Sequence, residues 1–240
     1  MAGHSHFANI KHKKDAQDRK KSKILTRVQR NIIVALKSGL PDPSVNAKLR
    51  NALIEARSAN LAKDKIDAVI KKYSGNNDIN SYEESRYNGY ASGGIAVIVN
   101  CLSDNKNRIV GEVRSVFTKH GGVFGETGSV EFGFARNGLI VYKKKDKNFD
   151  EMLEIVIEAN AKDLVEDDDS FYISTKFEDM HSVAENLIKK LGDYTSMNTT
   201  WVPLNTTEVS LDQAEKFNKF IEAMENLDDV QDVFHNANFC

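Results

Sequence analysis

Apolar residues near the start of the chain recur at helical spacing. Leu25, Val28, Ile32 and Leu36 follow one another at three- and four-residue steps and predict a helix over 18–38 with one apolar face. Gly39 and Pro41-Asp42-Pro43 stop it. Val45, Leu49, Leu53 and Ala56 predict a second helix capped by Ser44. Ile66, Val69, Ile70 and Tyr73 predict a third over 62–73, capped by Asn60 and ended at Gly75. Three short helices with brief links predict a bundle of about 60 residues, a foldable size. The polar run 76–81 reads as a linker.

Beyond it the period changes. Ile95 to Cys101 is a β-branched run after Gly93-Gly94 and predicts a buried strand. Residues 107–119 predict a helix with Val110, Val113, Val116 and Phe117 inward, ended by His120-Gly121-Gly122. Val130, Phe132 and Phe134 alternate with Glu131 and Gly133, which predicts a half-buried strand over 128–135. Asn137-Gly138 is a hairpin signal, with Leu139 to Lys143 as the returning strand. Then come a helix over 149–160, strands 164–167 and 171–175 around an acidic turn, a helix over 179–191 and a strand over 194–203. A helix over 211–226 and a strand over 230–235 close the chain.

From Leu139 the order is strand, helix, two strands, helix, strand, the split βαβ order of ferredoxin-like domains. The segments flanking it form an α+β unit of their own. The predicted fold is therefore α+β and multidomain. A basic arm and three-helix bundle occupy 1–78, a discontinuous α+β domain 79–135 plus 204–240, and an inserted ferredoxin-like domain 136–203.

Charge adds a division that the total conceals. The chain carries a net charge of only -2. Residues 1–75 hold 17 Lys/Arg against 6 Asp/Glu, a net of +11, and the remainder holds 16 against 29, a net of -13. Such asymmetry points to an end that faces nucleic acid, with the acidic part repelled by phosphate. Lys11, Lys13, Lys14, Arg19, Lys20, Lys23, Arg27 and Arg30 are the candidate phosphate contacts, and Phe7, Asn9 and His12 the candidate stacking or hydrogen-bonding groups. Lys20, Lys23, Arg27, Arg30 and Lys37 fall on the helix face opposite the apolar one. A solvated basic helix face is the plainer reading of the run taken alone.

Two cysteines, Cys101 and Cys240, give no disulfide framework and fit a reducing compartment. No apolar run approaches the roughly 18 residues needed to span a bilayer, and no signal-peptide core is present near the start. Asp15, Asp18 and the scarcity of Ser argue against a transit peptide. The expectation is a cytoplasmic protein without membrane contact.

Enzyme signals are scarce. No GxxxxGK[ST], GxGxxG, GxSxG or HExxH occurs. Gly121 to Gly128 is glycine-rich, but it follows a helix where a phosphate cradle would precede one, so a tight turn is expected. His4 and His6 have no further metal ligands nearby. Asp167-Asp168-Asp169 reads as a solvated hairpin tip, and Trp201 as core. Neither a cofactor nor a metal is expected, and the chain reads as a non-enzyme. Asp104, Asn105, Asn107 and Arg108 lie between a buried strand and a helix start. They suit helix capping and a contact surface equally.

Six stretches carry a resemblance: GHSHFANIKHKKDAQDRKKSKI, NALIEARSANLAKDKIDAVIKK, YNGYASGGIAVIV, LSDNKNRIVGEVRSVFTKHGG, GETGSVEFGF and LDDVQDVFHN. In order and spacing they are similar to the YebC/PmpR family, which includes the mitochondrial translational activator of cytochrome c oxidase. The match runs from Met1 to Asn238. The resemblance implies a non-enzymatic fold of one helical and two α+β domains. It places the family's first signature on Gly3, His4, Ser5, Ala8, Asn9, Ile10, Lys11, His12 and Lys14, and the second on Asp104, Asn105, Asn107 and Arg108. Departures are His6-Phe7 for a Lys-Trp pair, Ala62 for a proline, Asn88, Ala91 and Ser92 in the tyrosine-glycine loop, and Asn160 for a glycine.

The implied function is a nucleic-acid-binding regulator of gene expression, resembling the family's probable transcriptional regulators that bind DNA. The alternative is a ribosome-associated translation factor that binds ribosomal RNA and relieves stalling at proline-rich stretches. The basic face offers few Asn or Gln to read base edges, which favours backbone contact and folded RNA. A rival class is a scaffold whose acidic part binds a basic partner; it should keep that partner when 1–37 are deleted.

Overall fold

The structure, a computed structural model, describes residues 21–74, 82–144 and 147–239. The basic segment up to Lys20, the 76–81 linker and the stop at Gly75 lie outside them. Two compact units divide the described chain, one from 82–135 and 201–239, the other from 21–74 and 136–200.

In the second unit, α1 (Lys21–Lys37), α2 (Ala47–Ser58) and α3 (Lys63–Tyr73) pack around Val28, Ile32, Leu36, Leu49, Leu53, Ala56 and Ile66. The apolar stripes predict this core, except that Val45 stands exposed, one residue short of α2. The caps differ from those expected. Ser44 is held by the Asp42 carboxylate, which accepts from its amide at 2.8 Å and its hydroxyl at 2.7 Å. Asn46 caps α2 instead. Its Oδ1 accepts from the Leu49 amide, while its Nδ2 donates to the Ala35 and Leu40 carbonyls at 2.8 and 2.9 Å. One buried side chain thus starts a helix and ties down the preceding turn. Asn60 ends α2 rather than starting α3. Its φ is 59°, its amide reaches the Arg57 carbonyl, and the Leu61 amide reaches that of Ala56. That is a Schellman closure with Asn in the left-handed position.

The same unit contains β4 (Phe134–Lys143), α5 (Phe149–Glu158), β5 (Asp163–Glu166), β6 (Ser170–Lys176), α6 (Met180–Leu191) and β7 (Ser196–Pro203), the first and last strands beginning and ending at its border. The sheet order is β5-β6-β4-β7, the arrangement that the split βαβ order predicts. Asn137-Gly138 does not turn: both residues lie inside β4, paired with Lys176 and Thr175 of β6. Glycine is needed there for packing. A Cβ at Gly138 would overlap the Thr175 hydroxyl and lie 2.6 Å from Met180 Cγ.

The first unit is built on β1 (Glu83–Ala91), β2 (Ile95–Ser103), α4 (Lys106–Lys119), β3 (Val123–Phe124), β8 (Thr207–Val209), α7 (Leu211–Asn226), β9 (Val230–His235) and β10 (Ala237–Phe239). The main sheet runs β3-β1-β2-β9. One face packs through Val97, Val99 and Val233 on Phe117, Phe217, Phe220 and Met224 of α4 and α7; the other packs through Ile98 and Phe234 on Val130, Phe134 and Trp201. β2 is covered on both faces, which its unbroken apolar run reflects. The strand expected over 128–135 is absent: Glu131–Gly133 form a 3₁₀ turn, Phe132 points to solvent, and Phe134 opens β4.

Candidate nucleic-acid interface

Of the candidate phosphate contacts, Lys11, Lys13, Lys14, Arg19 and Lys20 lie outside the described residues, as do the candidate stacking or hydrogen-bonding groups Phe7, Asn9 and His12. Lys23 lies within α1. Arg27 turns inward, and its Nη2 donates to Glu55 Oε1 of α2 at 3.1 Å. Asn31 donates to the other Glu55 oxygen at 3.1 Å. Arg27 therefore helps hold α1 on α2, and a phosphate would have to compete with Glu55 for it. Arg30 is half-buried and Lys37 exposed on α1.

Residues 104–108 form a built structure. Asn105 is the N-cap of α4, and its Oδ1 accepts from the Arg108 amide at 3.0 Å. The Arg108 guanidinium donates to Asp104 Oδ1 at 2.8 Å and to Asp229 Oδ2 at 2.7 Å. Asp229 is almost wholly buried and also accepts from the Ser103 hydroxyl at 2.7 Å. The Asp229 carboxylate first, then that of Asp104, pushes the Arg108 guanidinium further up from its already high range. Capping and ion pairing thus engage Asp104, Asn105 and Arg108, while Asn107 stays exposed on the first turn of α4. Sequence reasoning missed Ser103 and Asp229 as partners of this group. The signal was present in two separated stretches, the one from Leu102 and the one from Leu227, but spacing alone could not pair them.

The remaining candidates have structural explanations. Asp167 accepts at its carboxylate from the Asp169 and Ser170 amides and the Tyr172 hydroxyl, as a hairpin tip would. Trp201 is buried with the Arg86 guanidinium 4.8 Å from its ring centre. Among the described residues, no three His, Cys, Asp or Glu side chains converge as a metal site would need. Among the same residues, no helix is long and apolar enough to cross a membrane.

Comparison with known proteins decides the relationship. Residues 5–76 match the model of the TACO1/YebC protein N-terminal domain, and residues 82–237 match that of the TACO1/YebC second and third domain. This chain belongs to the TACO1/YebC family. A solved structure, the crystal structure of a conserved hypothetical protein from Aquifex aeolicus, is 38% identical to it with a TM-score of 0.85, covering 93% of this chain and 92% of that one. Membership in the TACO1/YebC family supports a regulator-like role with nucleic acid as partner at the level of the family. The Asp104–Arg108 group falls within the second and third domain match, and α1 within the N-terminal one.

Proposed function

We propose that this chain is a non-enzymatic, nucleic-acid-binding regulator of gene expression that grips phosphate through its first 37 residues. The observation that carries this is the separation of charge, +11 over residues 1–75 against -13 over the rest. Phosphate attracts the first part and repels the second, so the molecule binds in one orientation. Because Arg27 is paired with Glu55, the grip falls chiefly on Lys11, Lys13, Lys14, Arg19, Lys20 and Lys23.

Lys and Arg dominate this segment and base-reading side chains are few, which favours folded RNA over a DNA sequence. The finer reading is thus a cytoplasmic translation factor on ribosomal RNA. A DNA-bound transcription regulator is the second reading, favoured by the matched model for residues 82–237, which is itself named for transcription regulation.

Sedimentation of lysate through a sucrose gradient, with and without ribonuclease, separates the two. Co-migration with ribosomal particles that is lost in a Lys13, Lys14, Lys20 and Lys23 to Glu variant is the expected result. Migration only at the top of the gradient, with promoter DNA recovered by crosslinking, would give the DNA reading.

A further inference from the structure

A cleft of about 620 Å³ opens in the unit of residues 82–135 and 201–239, between α4 and β3. Val110, Arg114 and Thr118 of α4 line one side, and Gly122 to Thr127 the other. Among the described residues β3 is an outer strand of its sheet, paired with β1 alone. In an antiparallel ladder, residues that bond across to the neighbour alternate with residues that face away from it. The Gly125 amide donates to the Asn88 carbonyl at 2.9 Å, so the Phe124 amide and carbonyl face away from β1. Among the described residues neither has a backbone partner. β3 therefore borders the cleft with one donor and one acceptor at the spacing of a strand.

The helical wall repeats at nearly the same spacing. Val110, Arg114 and Thr118 stand four residues apart, which is about 6 Å along a helix. Side chains on one face of an extended peptide stand roughly 6.8 Å apart. Three such side chains can thus meet the three α4 residues one by one. Val110 is half-buried and apolar, while Arg114 and Thr118 are exposed. The Arg114 guanidinium lies 4.9 Å from the centre of the Phe124 ring, which holds the cation beside the strand edge. Strand edges that must stay unpaired ordinarily carry Lys or Pro. Gly121 to Gly128 carries neither, and Val123 is 66% exposed.

We infer that this cleft docks an extended peptide of a partner protein, which adds to β3 as a further strand. Its backbone pairs with the Phe124 amide and carbonyl. Its inward side chains meet Val110, Arg114 and Thr118, so the middle one is acidic and the one at Val110 apolar. The Glu126 carboxylate in the loop wall disfavours a second acid beside it. Nucleic acid suits the cleft less well, because Arg114 covers the ring face that a base would need and Glu126 repels phosphate. This docking does not depend on the phosphate grip of the basic segment.

The test selects heptapeptides from a random displayed library on the full chain and, in parallel, on Thr118→Trp, whose indole should fill the cleft from an exposed position. The parent alone should enrich peptides, with Asp or Glu at one position and an apolar residue two positions away. The most enriched peptide is then synthesised and titrated by NMR. The Phe124 amide should shift saturably and its hydrogen exchange should slow. Methylating the peptide's backbone amides one at a time should weaken binding about tenfold at the position opposite Phe124, with the protein unchanged. Arg114→Glu should weaken the acidic peptide about tenfold and favour a version with Lys in place of the acid. No enrichment over Thr118→Trp, or binding indifferent both to methylation and to Arg114→Glu, would overturn the inference. So would slower Phe124 exchange at high protein concentration without peptide, which would assign the edge to a second copy of the chain. A single-stranded RNA that moves the Phe124 amide where no peptide does would overturn it in favour of nucleic acid.

Discussion

The Arg108 guanidinium donates to Asp229 at 2.7 Å, joining the start of α4 to the turn before β9 across 121 residues of sequence. Asp229 is 2% exposed and carries a second bond from Ser103. A carboxylate so enclosed needs both partners to offset its desolvation. Asp229→Ala should take the buried acceptor from Arg108 and Ser103, leaving Ser103 only its bonds with the Asn105 backbone, and destabilise the chain by about 2 kcal/mol in urea unfolding. Arg108→Ala should also destabilise. Equal stability of Asp229→Ala and the parent would show that the group is not structural.

Tyr194 should make stability fall in alkali. Its hydroxyl donates to Asn51 Oδ1 of α2, and burial pushes its phenol from an ordinary value of 10.0 up to about 12. Burial also pushes Tyr142 up, beside Tyr194. Below pH 10 both states keep the Tyr194 proton and its contribution is fully present. Between pH 10 and 12 the unfolded chain has lost the proton and the folded chain holds it, so stability drops as pH rises. One such group gives a slope of about 1.4 kcal/mol per pH unit in that window. Urea unfolding at pH 9, 10 and 11 measures it, and Tyr194→Phe should flatten the slope. An unchanged slope would contradict the assignment.

Asn160 occupies a strained position that glycine would relieve. Its φ is 62°, and the Asn160 and Ala161 amides close α5 onto the Ile157 and Val156 carbonyls. A side chain other than glycine or Asn is disfavoured there by roughly 1–2 kcal/mol. Asn160→Gly should be neutral or stabilising and Asn160→Ala destabilising by about 1 kcal/mol, read by thermal unfolding. The reverse order would contradict this account.

Much of the fold was legible because burial imposes a period. The α1 stripe, the doubly covered β2 and the β-α-β-β-α-β order all followed from it. β1 was not legible. Glu83, Glu84, Arg86 and Asn88 give it no apolar alternation, although Asn88 is completely buried. It exists because β2 pairs with it along its full length through a three-residue turn at Ser92-Gly93-Gly94, where both glycines have positive φ. Gly138 misled for the converse reason: a hairpin signal also fits a strand glycine whose missing Cβ admits Thr175 and Met180. In the candidate site, Arg27 satisfied the helical spacing of a phosphate contact, but spacing does not reveal that Glu55 waits opposite. The Asp104–Arg108 group was legible as a cap, whereas its buried partner Asp229 required the tertiary structure.

The most direct measurement is the salt dependence of binding of the full chain to a ribosomal RNA fragment and, in parallel, to duplex DNA. If Lys11, Lys13, Lys14, Arg19, Lys20 and Lys23 contact phosphate, log K should fall against log salt with a slope of about 4 to 5 in magnitude. Changing Lys13, Lys14, Lys20 and Lys23 to Glu should remove most of that slope. A slope below about 1 on both nucleic acids would contradict the claim that this segment grips a polyanion.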